Sequence, residues 1–456
     1  MKIKPHAVAV LGMMILGLNV HAATYYVSPT GNDANPGTLA LPWKTPSRPK
    51  QTLVAGDTVY FRQGNYVISD YVSIGGNAGT ATAPITYASY PGERATIVYD
   101  RRILLSDTTQ HQIFFVTSSY LIFERLSFYH TPESRAVSVP VTDQFQRIIG
   151  ISVWGDNVSV RNCTIDNMSG TGIYVDGARA LVEGSTITGT NSHGLYISGA
   201  DGVYRNNRLN GGNGHNQQAA IHIQWLPSTR NKIYGNLITN DWVDGVVFSG
   251  QVSYNEVFNN IFIGSGHRVD PAAYGVILQY WHQDGAIGPG NKFYNNTILG
   301  ARPNSALIAA IDGQNVDTFN NIFRPDTAAP VGGAAGFLIR NNLFFNATGI
   351  PSGNLSGDPR LANPLGQDET AAKLLTGSAA IDKAVAGAPA TDFAGVSRPQ
   401  GAGSDIGAYE YTGAVAPAFD FTLTNGGARS VTQGASVANT VTATLSAGTA
   451  QSVAFS

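Results

Sequence analysis

Five of the chain's nine histidines, His193, His215, His222, His267 and His282, are interleaved with tyrosine, tryptophan and amide residues. The stretch "HNQQAAIHIQW", His215 to Trp225, is the densest of these. Its end alternates as a strand does, with Ile221 and Ile223 on one side and His222 and Gln224 on the other. A neutral imidazole accepts a proton near neutral pH, and a phenol gives one up. Asn216, Gln217 and Gln218 can hydrogen-bond a carboxylate and share the charge that grows on it when the adjacent carbon loses its proton. Together these are the parts of a β-elimination on a uronic acid: a base, an acid and a neutraliser.

Such groups need a scaffold that repeats. "NCTI" at Asn162 recurs as "GSTI", "NNRL", "GNLI", "NNIF", "NNTI", "NNIF" and "NNLF". The second letters are Cys163, Ser185, Asn207, Asn236, Asn260, Asn296, Asn321 and Asn342. A repeat near 22–25 residues with local insertions and internal alternation predicts an all-β parallel solenoid. Six successive asparagines at one position predict stacked side-chain amides. Two residues earlier stand Glu124, Arg161, Glu183 and Arg205, then Tyr234, Phe258, Tyr294 and Phe319. Four residues earlier stand Lys232, Glu256, Lys292 and Asp317. Strands ~4.8 Å apart pair opposite charges and stack rings, so Lys232 and Lys292 are rungs rather than catalytic bases. A second strand aligns on Gly150, Gly172, Gly194, Ala220, Gly245, Gly275 and Ala306. It predicts an outward column Ser152, Tyr174, Tyr196, His222, Val247, Ile277 and a neighbouring column Trp154, Asp176, Ser198, Gln224, Ser249, Gln279.

These repeats resemble the right-handed parallel β-helix of secreted carbohydrate-active proteins in the pectate-lyase-like superfamily. "TYYVSPTGNDANPGTLALPWKTP", "VAGDTVYFRQGNY" and "APITYASYPGE" resemble the opening segment of many bacterial members. "GSAAIDKAVAGAPATDFAGVSRPQGAGSDIGAYEY" (377–411) resembles their closing segment. The resemblance implies a β-helix over about residues 24–411 and a polysaccharide partner. Its calcium-dependent pectate lyases use an Asp cluster and a Lys or Arg base, whereas the outward columns here carry Tyr, His and Gln. The Asp pairs and "GHG" of polygalacturonase-type hydrolases and the "DPH" of alginate epimerases are missing, and "GSGHR" (264–268) is a partial echo. The resemblance speaks to fold rather than to reaction.

The remaining sequence bounds the setting. Lys2 and Lys4, the apolar run Ala7–Leu18 and "VHAA" predict a secretory signal cut near Ala22 or Ala23, too short to span a membrane. The expected divisions are a signal peptide (1–23), the β-helix (24–350), its closing segment (351–411) and a partial immunoglobulin-like module or tail (412–456). The mature protein is expected outside a bacterial cytoplasm, secreted or at the cell surface, as a monomer. A net charge of −2 with 13% charged residues argues against nucleic acid as partner. Cys163 stands alone, so no intrachain disulfide forms.

In a solenoid, function gathers where coils carry insertions. One rim is expected to supply His193, His215, Asp241, Asp244, His267, Arg268 and Tyr274, and the other Trp225, Arg230, Tyr280, Trp281, His282 and Asp284. The expected catalytic residues are His222, His193, Tyr196 and Tyr174; those expected to hold substrate are Arg268, Arg230, Gln224, Trp225, His215, Asp244 and Trp281. No zinc-ligand spacing occurs, no cofactor is required, and the metal question stays open, with calcium as the candidate. The leading expectation is a polysaccharide lyase acting on a uronate polymer. The alternatives are a glycoside hydrolase using Asp176 and Asp244 with Asp241, and a non-catalytic glycan-binding or adhesive β-helix.

Overall fold

The computed structural model describes residues 22–100, 111–131, 148–211, 219–225, 227–239, 244–264, 277–280, 285–300, 307–310, 316–332, 338–413 and 420–447. The expected signal segment therefore lies almost wholly outside the described residues. Two units are distinguished, one ending at Asn231 and one beginning at Lys232, a boundary inside the span expected to form one β-helix. Among the described residues no helix is long and apolar enough to cross a membrane.

In the first unit each coil has three short strands that pair in parallel with their equivalents one coil away. A complete coil reads Ser159–Arg161, Thr164–Asp166, Ile173–Val175. Its strands pair with Leu181–Glu183, Thr186–Thr188 and Leu195–Ile197 of the next coil. The turn between the first two strands is two residues long, and a bend that tight needs a left-handed backbone at its first residue. The residue just before each asparagine-ladder position supplies it: Asn162 (φ 53°), Gly184 (62°) and Asn206 (57°). Only glycine and asparagine adopt this conformation routinely, which explains the first letter of "NN" and "GS". The small residue opening the third strand has an equally direct cause. A Cβ on Gly172 would sit 2.5 Å from Ile187 Cγ2 and 2.7 Å from the carbonyl oxygen of Gly194.

The second unit repeats the scheme with Lys232–Tyr234, Leu237–Thr239 and Asp244–Ser249 in its first coil. Here the ladder is explicit. Asn236 Nδ2 donates to Asn260 Oδ1 (2.9 Å), Asn260 to Asn296 (3.0 Å), Asn296 to Asn321 (3.0 Å) and Asn321 to Asn342 (2.8 Å). It runs one rung beyond the expected series, to Asn354 (3.0 Å). All five amides from Asn236 to Asn342 are fully buried. The expected surface ladders also form: Tyr234, Phe258, Tyr294 and Phe319 stack at 4.8, 5.1 and 5.0 Å. Lys232 faces Glu256 in register, and Lys292 Nζ lies 3.1 Å from Glu256. Residues 361–409 pack along the second strands of this unit's coils, Leu374, Ile406 and Tyr409 clustering with Leu237, Ile261, Ile322 and Leu343. Beyond them, Asp420–Asn425 and Val441–Ala447 form a short antiparallel pair.

One expected alignment is corrected. Val247 was placed opposite Ile277, but the register is Val246 to Ile277 and Val247 to Leu278. Val246, Val247 and Phe248 are all buried, so both faces of this strand are apolar. Register is legible only where one face is buried and the other wet, and here the pattern carries no phase.

Asn296 accepts from the Asn260 backbone and donates to the carbonyls of Val257 and Tyr294 besides its ladder partners. Asn296→Ala should therefore destabilise the protein by about 3 kcal/mol, because several buried groups lose partners at once. A urea titration followed by circular dichroism measures this, and a loss below 1 kcal/mol would contradict the ladder's role.

Candidate functional site

In the first unit the third strands are Ile148–Val153, Ile173–Val175, Leu195–Ile197 and Ala219–Gln224. Their register places Ser152, Tyr174, Tyr196 and His222 in one outward column, as the alternation predicts. Apolar neighbours on either side, such as Ile221 and Ile223, are fully buried and lock the strand's facing. The rings of Tyr174 and Tyr196 lie 5.2 Å apart, and those of Tyr196 and His222 lie 4.8 Å apart.

His193 comes from the turn before its strand and packs onto this column. Its ring is 4.7 Å from His222 and 5.0 Å, edge-on, from Tyr196. The two imidazoles share a hydrogen bond of 2.9 Å between His222 Nδ1 and His193 Nε2. His193 Nδ1 meets Ser192 Oγ at 2.9 Å. When both rings are neutral, one must present N–H and the other a lone pair. Both imidazoles are only 5% exposed. Ser192 was not singled out by the sequence reading; its adjacency to His193 was the available signal.

Tyr196 is half-buried and its hydroxyl is fully committed. It donates to Gln224 Oε1 (2.5 Å) and accepts from Trp225 Nε1 (2.7 Å). Trp225 sits at φ 71°, a left-handed conformation at the end of its strand that turns the indole back over the column. An N–H aimed at a phenolic oxygen is placed to stabilise negative charge there. Burial holds the Tyr174 phenol above its ordinary pKa, and the charge of Asp176 adds to the shift. Tyr174 therefore stays protonated across the neutral range. Burial also raises the Asp176 carboxyl.

The other expected substrate-holding residues divide. Arg230 lies at an exposed turn and grips Asp201 with two hydrogen bonds (2.7 and 2.8 Å). Arg179 pairs with Asp156 (2.6 Å) one coil away, and its charge also reaches Asp201, so Arg230 is the end of a surface charge ladder. Asp244, expected on a rim, opens a strand of the second unit and is buried. His215, Arg268 and Trp281 lie outside the described residues, as do Asp241, His267, Tyr274, His282 and Asp284. Among the described residues no three His, Cys, Asp or Glu side chains converge as metal ligands.

Two family descriptions match the chain: a Pel9A-like right-handed β-helix region over residues 25–224 and a right-handed β-helix region over residues 149–323. The chain carries a right-handed parallel β-helix region. Pectate lyase PEL9 of Emericella nidulans is 37% identical to this β-helix over 78 residues, which span 17% of this chain and only 19% of that protein. The crystal structure of pectate lyase Pel9A aligns with a TM-score of 0.54 and 17% identity, covering 86% of this chain and 98% of that one. A structure described as a glycoside hydrolase aligns with a TM-score of 0.50 and 10% identity, covering 74% and 96%. At these identities the structural likeness establishes the fold alone.

Tyr196→Phe leaves the stacked rings in place but strips Gln224 and Trp225 of their shared partner. It should lower stability by about 1–2 kcal/mol. Thermal unfolding checks this; an unchanged melting temperature would mean that the hydroxyl is not held as described.

Proposed function

We propose that this β-helix is a carbohydrate-active enzyme that cleaves a uronate-containing polysaccharide by β-elimination at the His/Tyr cluster. The observation that carries the proposal is the His193–His222 hydrogen bond in contact with Tyr196. His222 takes the proton from the carbon α to the uronate carboxylate. The electron pair left behind forms the new double bond, and the bond from the β-carbon to the glycosidic oxygen breaks. The proton on His222 is shared with His193 through their hydrogen bond, which spreads the positive charge over two rings. Tyr174, held protonated, supplies a proton to the departing oxygen. Tyr196 fixes the floor between base and acid. The slight exposure of both imidazoles keeps bulk water from the base.

Two supports come from the likeness to known proteins. A curated relative and a structural neighbour are both named pectate lyases, and eliminations on pectate have this chemistry. A glycoside hydrolase would need two paired carboxylates about 5–9.5 Å apart. His193, Tyr196 and His222 are in mutual contact within the first unit. On this reading the protein works outside the bacterial cytoplasm as a monomer.

Purified protein incubated with uronate polymers should generate both reducing ends and the ultraviolet absorbance of an unsaturated sugar. Reducing ends without that absorbance would establish hydrolysis instead, and neither signal would refute the proposed activity. His222→Ala should cut turnover at least about 100-fold, the usual worth of a general base. Asp176→Asn should retain turnover; its loss would transfer the acid role to Asp176 and favour the hydrolase.

A further inference from the structure

The outward column of the third sheet does not end at Tyr174. In register beneath it stand Ser152, Phe115 and Ser73. The two serines would interrupt a line of rings, yet each interruption is filled by an aromatic residue two positions away on the same strand or its lead-in. Trp154 Nε1 donates to Ser152 Oγ at 2.9 Å, which draws the indole over the serine. Its ring then lies 6.0 Å from Phe115 and 6.1 Å from Tyr174. Tyr71, two residues before Ser73, lies 6.2 Å from Phe115. Rings therefore follow one another without a gap from Tyr71 to His222.

Packing does not account for this line. Trp154 is 49% exposed and Tyr71 47% exposed, so half of each ring faces water. Trp154 is nevertheless held in one orientation by its hydrogen bond, with its polar edge already satisfied. A large, oriented apolar face left in water is a preformed platform for a ligand with an apolar face of its own.

We infer that Tyr71, Phe115, Trp154 and Tyr174 form a binding track that lays an extended glycan chain along the solenoid axis toward the His/Tyr cluster. The occupant follows from three features. The track is continuous with Tyr196 and His222, so this inference rests on the reading of that cluster as the place of glycan cleavage. The rings of the track follow one another at 6.0–6.2 Å, one on each successive rung, a step on the order of one sugar unit in an extended chain. Sugar rings present C–H faces that stack on aromatic rings while their hydroxyls stay in water, which suits half-exposed rings better than a fully apolar partner would. Tyr71, Phe115 and Trp154 fix where the chain lies and take no part in bond cleavage; Tyr174 is where the track enters the cluster.

Affinity electrophoresis through gels containing polygalacturonate or alginate tests this without turnover. Trp154→Ala and Tyr71→Ala should each weaken retention, Trp154→Ala by about tenfold in apparent affinity, as expected for the loss of one large platform. Val67→Ala, which removes an exposed apolar side chain from a different sheet, should not change retention. In turnover, Trp154→Ala should raise KM on long polymer far more than on short oligosaccharides. Retention unaffected by both track substitutions would overturn the track, as would an equal loss in Val67→Ala. If sedimentation without glycan shows a dimer that Trp154→Ala dissociates, the occupant is a second copy and the proposal fails. Absent turnover with retention lost in Trp154→Ala refutes the elimination but keeps the track; intact turnover with unchanged KM and retention does the reverse.

Discussion

The hydrogen-bonded turn between the first and second strands of each coil is the constraint on which the rest of the molecule depends. A left-handed residue reverses the chain in one step, and the next side chain must turn inward where no water can reach it. In the second unit that side chain is asparagine, because an amide both donates and accepts. Each one takes hydrogen bonds from one neighbouring coil and gives them to another, so the buried ladder amides are not left without partners. From Glu124 onward the turn keeps its two-residue length and left-handed first residue in each described coil, and equal coils can stack in parallel.

Equal stacking has a consequence for the surface. A side chain at a given outward position meets its equivalent one strand spacing away. Outward positions therefore become columns, and columns of like character become ladders of charge, of rings or of imidazole and phenol. Most of them only stabilise neighbouring coils. Lys292 with Glu256 and Arg230 with Asp201 are cases where a residue type capable of chemistry is consumed in this way. The column ending at Tyr196 and His222 differs because a residue from outside it, His193, joins from the turn and converts a stack into a hydrogen-bonded pair.

That difference also separates fold from reaction. The likeness to pectate lyase Pel9A and to a glycoside hydrolase lies in the coil, which the turn dictates. The reaction depends on which side chains occupy a few outward positions, and the same coil tolerates many choices there. In this β-helix the occupants that converge are His193, His222, Tyr196 and Tyr174.

The coil period, the asparagine ladder and the alternating charges were legible in the amino-acid sequence because each is a local pattern repeated many times. The column Ser152, Tyr174, Tyr196, His222 was legible for the same reason: buried residues alternate with outward ones and set the phase. The phase was lost at Val247, where both faces are apolar and alternation says nothing. What only the tertiary structure decided are the contacts made, within a coil or across coils, by residues off the repeat. Ser192 with His193, Trp225 over Tyr196, Trp154 over Ser152 and Arg230 on Asp201 each depend on how a turn folds back in space. A periodic pattern gives a side chain its rung and its face; which neighbour it finally touches is set by the turns flanking the third strand, and those turns are where this sequence stops repeating.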